Sequence, residues 1–280
     1  MTMHKINTFV LPMKLSSIAA AALIAAFCIQ ALLALPQLSA TADEPIHLAA
    51  GYSYWQTRDF RMNPEHPPLV KLLAGLPLLL LRPKFDTSHA DWPNAAQDIF
   101  GFRFLYGNDA DRLLFWGRMP MVLVAALGGV VTFFWARDLF GSAAGVFATG
   151  LYSFSPNLLA HGMLVTTDVP LAVFWLLTLY LFWKQHDNPS WRSDAAVGLA
   201  LGAAMASKFS GAFLPVILIV LCFARNGRHA LKHLFIIACA ALVVIEAAYL
   251  FSASPILYFK NAALVNANHI ANYPFISSAG

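Results

Sequence analysis

Long apolar runs alternate with short polar breaks along most of this chain, and the runs set its architecture. Stretches at about 15–36, 113–136, 143–160, 169–184, 195–207, 209–224 and 234–252 carry few charges. Several approach the roughly 20 apolar residues that a helix needs to cross a bilayer. The pattern predicts an all-α, polytopic transmembrane helical bundle of about seven spans. The polar stretch 37–112 is expected as a long loop on one membrane face. Within it Leu69–Leu81 is apolar but short, and Pro67, Pro68 and Pro77 interrupt it, so it reads as an interfacial or re-entrant helix. Residues 195–224 would bury Lys208 near mid-membrane if they formed one helix. That cost argues for a break at Ser207-Lys208.

Charge placement orients the bundle. Lys5 and Lys14 precede the first run, and Arg137, Lys184, Arg192, Arg225, Arg228 and Lys232 mark short loops on one side. Basic short loops are cytoplasmic by the positive-inside rule. The N-terminus is therefore expected inside, with the loop 37–112, the turn around 161–168, the break at Lys208 and a tail 253–280 outside. Composition agrees with a membrane protein, at 59% hydrophobic and 11% charged residues. A net charge of +4 without a basic, aromatic-interleaved stripe gives no sign of nucleic-acid binding. Cys28, Cys222 and Cys239 all fall inside apolar runs, which points to packing rather than disulfides or a metal. Ala40-Thr41-Ala42 has the form of a signal-cleavage site. The preceding apolar run is longer than a usual signal core, however, and a full bundle follows it, so a retained first helix is expected. Gly198 and Gly202 form a small-xxx-small pair suited to close helix packing.

Chemistry concentrates at the outer ends of the runs. Asp43-Glu44-Pro45 follows the first span, and Thr166-Thr167-Asp168-Val169-Pro170 opens the fourth. Both acids suit helix capping. An acid at a bundle mouth can equally act as general base toward a hydroxyl. Asn63-Pro64-Glu65-His66-Pro67-Pro68-Leu69-Val70-Lys71 adds an acid, an imidazole and a cation beside a rigid diproline. Glu65 and His66 lack a clear third ligand, so no metal is required, although a divalent cation is admissible. Arg118 and Lys208 fall at outer helix ends, where snorkelling competes with a functional role. Glu246 lies deeper and needs a partner that the sequence does not name.

In this order the motifs resemble polyprenyl-phosphate-sugar-dependent glycosyltransferases of the GT-C architecture, nearest the protein O-mannosyltransferase and aminoarabinose-transferase group. The resemblance runs over about residues 15–252, within a transmembrane core of 1–252. It rests on Asp43-Glu44, His66-Pro67-Pro68-Leu69 with Lys71, Arg118, Ser155-Pro156, Thr167-Asp168-Val169-Pro170-Leu171 and Lys208-Phe209-Ser210-Gly211. It implies an inner-membrane enzyme that passes a sugar, with inversion, from a polyprenyl-phosphate donor to an acceptor hydroxyl of a protein, lipid or glycan at the periplasmic face. By the same resemblance Asp43 is the base, with Glu44 beside it and Asp168 in support. Lys71, Arg118 and Lys208 are the candidates for the donor phosphate, with Glu65 and His66 as accessories and no cofactor required. Members of this group usually continue through further spans. The chain is therefore expected to be a fragment or a shortened paralogue. A transporter or lipid flippase, and a non-catalytic partner of a complete enzyme, are the rival readings. Against a transporter, the ionisable groups gather at one surface and no internal repeat is evident.

Overall fold

The structure, a computed structural model, describes residues 12–251 and 257–264. Lys5 and most of the expected tail 253–280 lie outside the described residues. Among the described residues every regular element is helical. The apolar runs become α1 (Met13–Ala34), α6 (Ala110–Phe140), α7 (Ser142–Ser153) with the short α8 (Pro156–His161), α9 (Asp168–Lys184), α10 (Trp191–Ser207), α11 (Phe213–Asn226) and α12 (Ala230–Ala248). The stretches Met13–Gln37, Ala110–Phe140 and Phe209–Ala248 are each long and apolar enough to cross a membrane. The last of these turns at Gly227, which adopts φ 51° and leaves α11 and α12 as a hairpin.

Local sequence explains the ends. Asp109 accepts a hydrogen bond from the Arg112 N–H at 3.1 Å and caps α6. Ser190 and Ser193 form a reciprocal capping box on α10. Pro170 stands in the first turn of α9, where its missing N–H costs no helical bond. Lys208 is extended, at φ −154° and ψ 144°, and so ends α10. The break expected at Ser207-Lys208 is present.

Two packed groups make the bundle. In one, α1 lies against α6 and α7; in the other, α9 and α12 flank α10, and α6 touching α9 joins the two. Gly198 allows the α10–α12 approach, since a Cβ there would lie 2.4 Å from the Ile237 carbonyl oxygen. This is the close packing expected from the small-residue pair.

The stretch 37–112 departs from the simple loop expected of it. It holds α2 (Glu44–Thr57), α3 (Leu69–Gly75), α4 (Leu78–Leu81) and α5 (Gln97–Tyr106). These surround a core in which Leu48, Tyr54, Met62, Val70, Leu78, Phe100 and Leu105 are all buried. Helix α2 is buried at nearly every position from Glu44 to Tyr54, so it has no polar face for a periodicity argument to detect. It runs so close to α3 that a Cβ on Gly51 would sit 1.9 Å from the Lys71 carbonyl oxygen. Pro68 leads into α3, and Pro77 separates α3 from α4, as expected of the short interfacial segment. Because the clash at Gly51 is with backbone, a side chain cannot rotate away from it. Gly51→Ala should lower stability by about 1–3 kcal/mol, the usual cost of overpacking. Thermal unfolding in detergent would read this, and an unchanged midpoint would contradict the packing.

Candidate functional site

The site is built on a buried ion pair. Glu44 in the first turn of α2 and Arg118 in α6 are both 0% exposed, with Arg118 Nη2 2.7 Å from Glu44 Oε2 and Nε 2.8 Å from Oε1. The remaining guanidinium N–H groups donate to the carbonyls of Leu35, Leu38 and Ser39. Glu44 also accepts from the backbone N–H of Thr41 at 2.9 Å and of Val165 at 3.1 Å. Burial alone would raise this carboxyl, but the Arg118 bonds and the two backbone donors outweigh it and hold the acid below its ordinary range. The pair thus ties the segment after α1, the start of α2, α6 and the turn before α9.

A second tie runs through His47, one helical turn after Glu44. Its Nδ1–H donates to the Val165 carbonyl at 2.7 Å, so Glu44 and His47 grip both polar groups of one residue. Burial, with Lys71 nearby, pushes the His47 ring down to about 4. His66 sits 5.6 Å from it, ring centre to ring centre, in an edge-on arrangement. Burial, His47 and the charges of Lys71 and Lys208 push His66 down to about 4 as well, with Asp43 opposing them. Both imidazoles are therefore neutral around pH 7. Lys71 is fully buried, and its amine donates to the Asn63 carbonyl at 2.6 Å, the Asn63 side chain at 3.2 Å and the His66 carbonyl at 2.8 Å. Burial holds this amine well below the lysine range, with Glu65 pulling weakly the other way. Asn63 presents its two oxygens to Lys71 from a left-handed backbone at φ 50°, which asparagine tolerates better than most residues.

Above this buried layer stand the accessible groups. Asp43 occupies the N-cap position of α2, yet its side chain makes no capping bond and is exposed. Asp168 in the first turn of α9 pairs with Lys208 at 2.5 Å, their side chains 71% and 31% exposed. Asp43 and Lys208 both lie near enough to His66 to act on its ring, and Asp168 acts on His47. The structure thus brings Asp43 and Lys208 close to His66, and Asp168 onto Lys208. It keeps Glu44, Arg118 and Lys71 beneath them with their hydrogen bonds already engaged. Glu65 is exposed and accepts a bond from Gln97 at 3.2 Å. Glu246, in the last turn of α12, has one buried carboxylate oxygen without a hydrogen-bond partner among the described residues. No group of three or more His, Cys, Asp or Glu side chains among the described residues is placed to hold a metal ion. His47 was not singled out from the sequence. The signal available for it was Glu44-Pro45-Ile46-His47, which sets the acid and the imidazole one turn apart on one helix face.

Fold and site together define an all-helical membrane protein with acids and a cation clustered where several helices end. The family described as "Dolichyl-phosphate-mannose-protein mannosyltransferase" matches over residues 111–267, more than half of the chain. The chain belongs to that family. The fold is similar to a chain of the S. cerevisiae protein O-mannosyltransferase Pmt1–Pmt2 complex bound to the sugar donor, with a TM-score of 0.60 and 19% identity. That match covers 91% of this chain and 34% of the other, so the chain spans about a third of the solved one. A search of the curated proteins found no match. The family match leaves Asp43, Glu44, His47, His66 and Lys71 outside its span. Of these, Glu44 and His47 are bound directly to the matched part, through Arg118 and Val165.

Removing one partner of the buried pair leaves the other charge uncompensated, at a cost of about 3–5 kcal/mol. Arg118→Met should therefore lower stability by that order. The sign with pH follows from the lowered acid. The pair contributes fully above the ordinary glutamate value of 4.5, and its contribution is lost as the pH falls through the lower folded value. Wild-type unfolding followed from pH 7 downward should show this acid loss, and Glu44→Gln should not. Matching acid profiles in the two proteins would contradict the assignment.

Proposed function

We propose that this chain carries the catalytic end of a membrane glycosyltransferase that moves mannose from a polyprenyl-phosphate donor to an acceptor hydroxyl. Asp43 is the general base in this reading. The observation that carries it is the contrast between two adjacent acids: Glu44 is fully engaged below the surface, while Asp43 is exposed, makes no capping bond and, like Lys208, lies near His66. The lipid phosphate is already a fair leaving group, so the protein has two tasks. It activates the acceptor and answers the charge left on phosphate. Attack by the acceptor oxygen on the anomeric carbon breaks the bond to phosphate oxygen. The acceptor proton passes to Asp43, the bonding pair leaves with the phosphate, and configuration inverts.

Of the three cations weighed for the phosphate, Lys208 is the one with an accessible side chain, held ready by Asp168. Arg118 and Lys71 serve instead to fix the platform. The site is oriented to the outer, periplasmic face of the inner membrane, supported by the basic short loops at the other end of the bundle. The family description, and the O-mannosyltransferase named in the yeast complex, support mannose as the sugar. The family description also supports a protein as the acceptor.

Purified protein in lipid should release or transfer label from radiolabelled polyprenyl-phosphate mannose. Asp43→Asn should cut turnover by about 10²- to 10⁴-fold, the usual worth of a general base, with an unchanged melting profile. Lys208→Ala should raise the donor KM by about 10- to 150-fold, the loss of one charge-assisted hydrogen bond. With His47 and His66 both near 4, the rate should show no inflection at the ordinary histidine value of 6.5. Near-normal turnover of Asp43→Asn would return Asp43 to a merely structural position and move the base elsewhere.

A further inference from the structure

The end of the bundle opposite the candidate site carries a second polar cluster. Asp194 in the first turn of α10 is buried, with His233 Nδ1 2.9 Å from its carboxylate and the Gln185 amide donating to it. Arg225, in the last turn of α11, donates to the Gln185 side-chain oxygen and to the Phe182 carbonyl at 2.9 Å, and its guanidinium lies 4.2 Å over the Phe182 ring. Of the cations at this end, Arg137 ending α6 and Lys184 ending α9 both bind Asp138. Arg225 is held another way. Its hydrogen bonds are met by neutral oxygens, and it has no carboxylate partner among the described residues.

This cation forms part of the lining of a cavity of about 480 Å³ between α6, α9 and α11, whose other walls include Trp135, Phe182, Trp183, Leu221 and Ala224. Along α11, Val216, Val220, Leu221 and Phe223 are all exposed, so this side of the bundle offers hydrocarbon to its surroundings. A charge at helix-end depth is a charge at headgroup depth, and the groove beside it is apolar. A soluble anion would gain nothing from those walls, and a neutral lipid would leave the charge unanswered. An anionic phospholipid satisfies both.

We propose that this groove holds an acyl chain of one anionic phospholipid whose phosphodiester is bound by Arg225. The test exchanges the purified protein into mixed micelles with equal phosphatidylglycerol and phosphatidylcholine, followed by native mass spectrometry. One retained phospholipid is expected, with phosphatidylglycerol favoured about fivefold or more, the worth of one cation near an anionic headgroup. Arg225→Gln should bring that preference close to unity. Ala224→Phe fills the groove while keeping Arg225 and should reduce retention of both lipids; it carries the test alone if Arg225→Gln fails to fold. Equal retention of the two lipids by the wild type would overturn the proposal. So would undiminished retention in Ala224→Phe, or a polypeptide found in the lipid's place.

Discussion

The Glu44–Arg118 pair is the constraint on which the candidate site depends. Two charges taken wholly out of water are tolerated only where geometry and further hydrogen bonds repay desolvation. Here all the guanidinium donors and both carboxylate oxygens are engaged. The pair adds little net stability over a well-packed apolar pair, but it is exacting about position. Five separate backbone groups from two stretches of chain must converge on it. Their convergence fixes the start of α2, and so Asp43, against the turn that opens α9, and so Asp168.

That arrangement separates charges that hold from charges that can act. Glu44, Arg118 and Lys71 lie below the surface with partners of fixed geometry, whereas Asp43, Asp168 and Lys208 face outward. The two histidines between the layers are kept neutral by burial and by neighbouring cations. They therefore present polar ring nitrogens without adding positive charge that would compete for Asp43. At the opposite end of the bundle Asp138 neutralises Arg137 and Lys184, and Arg225 is left to neutral partners.

Much of this was legible in the sequence. Apolar run length located the helices, Lys208 located the break after α10, and the acids at run ends located Asp43 and Asp168, because membrane burial makes each of these choices costly to violate. The polar stretch 37–112 was harder to read. Helix α2 is enclosed on all sides and α3 and α4 are short, so no periodic stripe marks them. Cation roles were harder still, since Arg118 and Lys71 look like surface charges in sequence. What buries them is contact with residues 74 and 8 positions away, respectively. His47 acquires its place only when α2 meets Val165, a pairing across 118 positions.

The most direct test of the positioning account is a double-mutant cycle on the pair, read by unfolding free energy at neutral pH. Glu44→Leu and Arg118→Met each strand a buried charge, while the double variant strands neither. The account predicts coupling at least as large as the greater single loss, about 3–5 kcal/mol or more, with the double variant more stable than either single variant and still folded with its helical content intact. Additive losses, with the double variant the least stable of the three, would contradict it.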